Sequence, residues 1–495
     1  MLFKYIKDII NKLMSPVLSK GFIVNLYGHK ISIENLKTLG KIIKYHPNLP
    51  EGFSIILSGN KIGLSGLSIL ANAIEDNKSL PASFYISLND NEIDDIGVGL
   101  IAEAIKYNKN LPQRFNIDLR NNLIGDAGAI ALASAVKHNR SLPKDFAIFL
   151  EKNHIGDSGA IALINSFIPN GFKIYLDDNN ISDLGAIALA SAIKKETNLP
   201  VDFKVSLYGN SVGPKGVKEL AESINCIKNL PLSFVLDLER NQIKDEGVLA
   251  LAELIEKKTG LPHGFSVYLG ENDISDIGGI ALFQAIKNNL NLPELFRIYL
   301  SSNELGDLSV KELAEAIKDN YNLPDGLHVD LSSNNIGDSG LIFLSQAIKA
   351  NTNLPYNFSI NLGYNKIGAN GTKALFDVIK DNTKLNYGFS LDLGHNQIGN
   401  TGLVKLANAI KSNSNLPKSF HINLTANRIN DMGATALAEA IKNNAHLPEG
   451  FSINLRLNEI TSVGFNELYL AIKANNKLPR GFRVEFGYNK ILRKY

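Results

Sequence analysis

Ser390, Asp392 and His421 are the residues whose types most invite a catalytic reading, because they fall at outward positions of two successive predicted strands. A nucleophile, a base and an orienting carboxylate are the parts of an acyl-transfer triad. Such a triad also needs oxyanion donors and a pocket, and the face of a repetitive sheet supplies neither. The three are therefore read as exposed strand residues, and His328 with Asp330 in the same way. No His-Glu-x-x-His, paired Cys-x-x-Cys, phosphate-binding Gly-x4-Gly-Lys-[Ser/Thr] or strand-following Gly-x-Gly-x-x-Gly occurs. These are the local signatures of metal and nucleotide chemistry. No metal or cofactor is expected, and the chain is not expected to be an enzyme. Cys226 is the single cysteine, so an internal disulfide is impossible and a reducing cytosol suits the chain.

Binding chemistry is better represented. Outward strand positions near both ends are mostly small and polar, whereas the middle carries Asp118, Arg120, Phe149, Glu151, Tyr175, Asp177, Tyr208, Asp237, Glu239, Arg240, Tyr268, Arg297 and Tyr299. Aromatic residues interleaved with arginine and carboxylates are the composition of interface hot spots. Phe149, Tyr175, Tyr268 and Tyr299 each stand four residues before a recurring Asn, so they share one column. Acidic residues outnumber basic ones in this set, which favours a partner with some basic character.

That recurring Asn identifies the element that positions everything else. Asn91, Asn122 and Asn153 are spaced by 31, Asn179 follows after 26, and from there to Asn489 the spacing returns to 31. A fixed period of this length is the signature of a solenoid. Within one unit, Phe115, Ile117 and Leu119 alternate with Asn116, Asp118 and Arg120, the period-two pattern of a half-buried strand. Asn122 is placed to satisfy buried backbone groups at the turn. Asp126 is expected to cap its own helix, the Ala-rich run Gly128 to Lys137 to form that helix, and Asn139 to end it in a left-handed cap. Leu142-Pro143 then forces an extended return.

The pattern F-x-I-x-L-x-x-N-x-I-G-D-x-G-A-x-A-L-A-x-A-I-K resembles the long, helix-containing leucine-rich repeats of the ribonuclease-inhibitor class, over about Phe22 to Leu492. The resemblance implies an α/β horseshoe of about sixteen repeats, with a parallel sheet on the concave face and helices on the convex face. Gly128-Ala-Ile-Ala-Leu-Ala133 also resembles the wording of leucine-rich repeat effectors that intracellular bacteria deliver into host cells. Members of the broad class are binding proteins, inhibitors, sensors or GTPase activators. The expected function is thus a non-enzymatic protein-binding scaffold, with regulation of a GTPase or another enzyme as the alternative.

The 495 residues carry 51 basic and 49 acidic side chains, a net charge of +2, which gives no global reason to bind nucleic acid or anionic membrane. Residues 1–21 place Leu2, Phe3, Ile6, Ile9, Ile10 and Leu13 at helical spacing, which predicts an amphipathic helix capping the first coil rather than a signal peptide or membrane span. Residues 22–495 are expected to form one repeat domain, with one repeat shortened at 153–179. Its sixteen strands would make a single sheet roughly 75 Å long at the usual strand spacing. The expected state is a monomer in a cytosol, either the producing cell's own or, after secretion without a cleaved signal, a host's.

Overall fold

The structure, a computed structural model, describes residues 13, 18–46, 48–167, 173–195, 199, 201, 203–382 and 384–490, and for 173 and 174 the backbone alone. The predicted N-terminal capping helix lies almost wholly outside these residues. Leu13 is described, helical and buried.

Strand and helix alternate from Ile23–Asn25 to Arg483–Glu485, as the repeat requires of a leucine-rich α/β solenoid. All described strand pairings are parallel, and neighbours in the sheets are neighbours in the chain. The strands form two sheets, one of six from Ile23–Asn25 to Lys173–Tyr175 and one of ten from Val205–Ser206 to Arg483–Glu485. The single sheet expected from the period is thus divided directly after the shortened repeat, at a strand only two residues long. The chain forms two compact units, Met1–Pro200 with Ser206–Ile227 and Val201–Val205 with Lys228–Tyr495.

The core follows from the alternation. Phe115, Ile117 and Leu119 are fully buried, as are their counterparts Phe265, Val267 and Leu269. Successive Phe rings stack along the coils, 5.8 Å apart for Phe84 and Phe115 and 6.0 Å for Phe234 and Phe265. Leu132 and Val136 supply the inner stripe of the helix Asp126–His138.

The Asn column is a ladder between coils, as expected. The Asn122 amide donates to Leu119 O in its own coil and to Leu88 O in the preceding one, while its Oδ1 accepts from the Ile93 amide of that preceding coil. Asn272 does the same in the second unit, donating to Gly270 O and Leu238 O and accepting from Ile243. The shortened repeat keeps its rung, because Asn179 still bonds Leu150 O at 3.0 Å and accepts from Ile155 at 3.0 Å. The helix Asp157–Phe167 has 11 residues where most have 13, which takes up two of the five missing residues.

Two capping expectations are corrected. Asp126 does not cap its own helix, whose N-cap is Gly125 without a side chain to offer. Its carboxylate instead accepts from Gly156 N at 2.7 Å and Gly159 N at 2.9 Å, the first free amides of the next coil's helix. This explains why Gly and Asp recur together in I-G-D-x-G. A Cβ on Gly159 would come within 2.8 Å of the Asp126 carboxylate. Where the preceding coil carries Ile33, Pro214 or Ala369 in place of the Asp, the following helix begins differently. Gly63, Lys244 and Gly399 then open the helix with φ of +64°, +54° and +62°. Asn139 is not left-handed either, with φ −94° and ψ 87°. Its amide forms a second ladder, donating to the Ile105 and Asn108 carbonyls of the preceding coil.

Candidate functional site

The period-two strands leave three outward columns per coil, six, four and two residues before the ladder Asn. What stands there is free of the fold's demands, so these columns carry the candidate site.

In the first unit the register aligns Asp118, Phe149 and Tyr175 across three neighbouring strands. The two rings lie 4.9 Å apart. Arg120 bonds Asp118 twice, through Nη2 at 2.7 Å and Nε at 2.9 Å, and its guanidinium carbon lies 5.6 Å from the Phe149 ring centre. The Tyr85 hydroxyl, one coil earlier on the adjacent strand, donates to the same carboxylate at 2.9 Å. Asp118, expected on an open face, is consequently only 1% exposed. Burial opposes its ionisation, but the bonds from Arg120 and Tyr85 prevail and hold its pKa below the ordinary value. Those same contacts raise the pKa of Arg120.

Glu151 lies beside this pair in the next coil. Burial raises its pKa, and its Oε2 is buried without a hydrogen-bond partner. The Asp177 carboxylate accepts from Ser206 Oγ at 2.5 Å. Tyr208 stands two residues before Asn210 and so outside the aromatic column.

In the second unit the corresponding row is Asp237, Tyr268, Tyr299 and Asp330. The tyrosine rings are stacked 4.2 Å apart at 6°, and His328 packs against Tyr299 at 5.1 Å. Burial first, and then the hydrogen bond with Tyr299, push the Tyr268 hydroxyl up to about 12. Glu239 leans over Gly270, where a Cβ would meet its Cδ at 3.1 Å. Burial, then Asp237, Glu271 and Asp330, raise the pKa of Glu239. Arg240 is ion-paired with Glu271 at 3.5 Å, and both occupy left-handed backbone, φ +56° and +52°. Arg297 is exposed on the strand that carries Tyr299.

The aromatic column thus supplies one pair in each unit, Phe149 with Tyr175 and Tyr268 with Tyr299. Sequence reading missed Tyr85 as a partner of Asp118, although the strand register would have suggested it: Tyr85 pairs with Asn116, two residues before that carboxylate.

The triad residues do not assemble. Asp392 accepts from Gly394 N and from the Asn423 amide, both at 2.8 Å, one bond to each of its oxygens. Burial lowers the pKa of His421, while Nδ1 of His328 bonds Ser359 at 2.7 Å. Among the described residues no three His, Cys, Asp or Glu side chains could together hold a metal ion. No helix among them is long and apolar enough to cross a membrane. The Cys226 thiol is exposed. On the helix side, a groove of about 520 Å³ between Asp338–Ala350 and Ala369–Asp381 is lined by Lys349, Asp377 and Asp381.

A family model described as Leucine Rich repeat matches residues 117–133, 150–163, 173–190, 235–252, 327–345 and 390–407. No curated protein matches the sequence. Among solved structures, an internalin from Listeria monocytogenes is 16% identical, with a TM-score of 0.38 over 83% of this chain and 89% of that one. The plant peptide hormone receptor RGFR1 in complex with RGF2 is 13% identical, with a TM-score of 0.28 over 92% of this chain and 72% of that one.

Proposed function

We propose that this leucine-rich repeat chain is a non-enzymatic scaffold that binds a partner protein on the solvent face of its strands. The observation that carries the reading is the two aromatic pairs, Phe149 packed at a tilt against Tyr175 and Tyr268 stacked on Tyr299, on a face whose side chains the fold does not prescribe. Half-buried aromatics flanked by arginine and carboxylates supply contact area at small entropic cost, which is how a few residues dominate an interface. The even charge balance supports a protein partner over nucleic acid. Regulation of a GTPase by an arginine reaching into its site is less well supported, because Arg120 is held by Asp118 and Arg240 by Glu271. The effector-like wording at Gly128–Ala133 and the solitary cysteine favour work in a cytosol, a host's included.

Affinity purification with the full chain names the partner, and titration of that partner then tests the face. Replacing Tyr175, Tyr268 and Tyr299 together by alanine should weaken binding by at least about 2 kcal/mol, the usual hot-spot threshold. Replacing Asn361, Asn423 and Asn454, from the same column of later coils, should cost much less. Full binding by the tyrosine variant with loss in the asparagine variant would move the site to the later coils. No loss in either would remove it from the strand face.

A further inference from the structure

The chemistry of the partner can be read by comparing the two units. The first unit holds a row of one carboxylate and two packed rings, Asp118, Phe149 and Tyr175, and the chain fills it with its own guanidinium. Arg120, two residues after Asp118, bonds that carboxylate at 2.7 Å and lies 5.6 Å from the centre of the Phe149 ring. The second unit repeats the row as Asp237, Tyr268 and Tyr299, in the same register and the same column. There the residue two after the Asp is Glu239. The carboxylate and the stacked rings are kept, and a second carboxylate stands where the arginine was.

The geometry suits a cation at that point. Tyr268 and Tyr299 are separated by 4.2 Å at 6°, near the strand spacing of about 4.8 Å, so the rings stand across the row. Tyr299 covers one face of Tyr268, and the other face is turned toward the strand Val235–Asp237. A guanidinium between them would meet a ring face and charge-assisted hydrogen bonds together. The local charge agrees: Asp237, Glu239, Glu271 and Asp330 on the face, with Asp273 and Glu304 on the following turns, outnumber Arg240 and Arg297. Arg240 is itself engaged with Glu271. Burial favours the neutral form of His328, with Asp330 opposing it. Glu239 is ionised at a cost imposed by burial and by Asp237, Glu271 and Asp330, a cost that a cation would relieve.

We infer that the face formed by Asp237, Glu239 and Tyr268 receives an arginine side chain from a segment of the partner protein, as Arg120 is received by Asp118 and Phe149 in the first unit. The inference rests on the reading that the partner docks on the strand face. Arginine fits better than lysine, because a planar guanidinium can lie on a ring and bond a carboxylate at once.

The test pans the full chain against phage-displayed random peptides of about a dozen residues, and the enriched peptides are resynthesised. Each binder should contain an arginine whose replacement by citrulline weakens binding on the order of tenfold or more. Tyr268→Ala and Glu239→Arg chains should show a loss of the same size, and a Tyr321→Ala chain, changed at an exposed residue away from the strand face, none. Binders that lack arginine yet fail on the Tyr268→Ala chain would overturn the inference and leave strand-face docking standing. Binders indifferent to every strand-face substitution would contradict both. A library without any binder also overturns the inference, and the purified partner tested against the Tyr175, Tyr268 and Tyr299 variant then decides strand-face docking separately. A crystal structure of the Glu239→Arg chain gives a readout free of any peptide. The introduced guanidinium should lie on Tyr268 and bond Asp237, and one that points into solvent overturns the inference.

Discussion

Two rows of side chains, built in one register and one column, differ at a single decisive position. Asp118, Phe149 and Tyr175 are closed over by Arg120, so the charge of that row is consumed inside the molecule. Asp237, Tyr268 and Tyr299 have Glu239 in the same place, so a carboxylate stands where the first row has its own guanidinium. The lesson is that equivalent positions of a repeat divide between fold and partner by one residue, since burial of a charged carboxylate is costly unless it is paired.

The largest effect expected from this difference is on stability. Asp118→Ala removes the partner of Arg120 and of the Tyr85 hydroxyl and should destabilise the first unit by about 2–3 kcal/mol, the level of hydrogen bonds to charged groups. Asp237→Ala, at a half-buried carboxylate with Glu239 rather than an arginine two residues on, should cost less, about 1 kcal/mol. Equal shifts in the urea midpoint would erase the distinction between the rows. The buried ladder, by contrast, should not distinguish the units at all. Asn122→Ala and Asn272→Ala should each cost roughly 1–3 kcal/mol, because each strands buried backbone groups. Hydrogen exchange, read coil by coil, should find these losses local, since coils contact only their neighbours.

Much of this was legible in the sequence. The strand alternation, the Asn ladder and the aromatic column were read from spacing alone, because each depends on periodicity within a repeat. What escaped depended on contacts between repeats. Asp126 was assigned to its own helix, yet it serves the next coil through Gly156 and Gly159, and a linear reading has no term for a neighbour 30 residues away. Asn139 was misread for the same reason. Asp118 was placed on an open face because its burial depends on Tyr85, which lies in the preceding coil. The division into two sheets likewise falls between Lys173–Tyr175 and Val205–Ser206, at a point where the sequence period runs on unchanged.

Capping by the preceding coil predicts a smaller effect in the second unit. Ala369→Asp should restore the missing carboxylate ahead of Gly399 and stabilise by about 0.5–1 kcal/mol, the usual worth of an N-cap. An unchanged melting temperature would show that the left-handed start at Gly399 does not come from the lost cap.

The smallest effects depend on pH. The folded pKa of Asp118 is depressed, so its stabilisation is complete above the unfolded value and is lost as pH falls through the folded one. The folded pKa of Glu151 is raised, so its contribution is complete below the unfolded value and is lost as pH rises through the folded one. Glu151→Gln should therefore raise the melting temperature slightly at neutral pH, with the gain vanishing below about pH 4. A gain that grew on acidification would reverse the sign assigned to that carboxyl.

Hydroxyl-radical footprinting of the full chain, with and without its purified partner, tests the account most directly. Tyr268 and Tyr299 should become protected on binding, while Tyr107 and Tyr321, exposed at the helix side of the coils, should react as before. Protection of Tyr107 or Tyr321 with Tyr268 and Tyr299 unchanged would place the partner on the helices and contradict docking on the strand face.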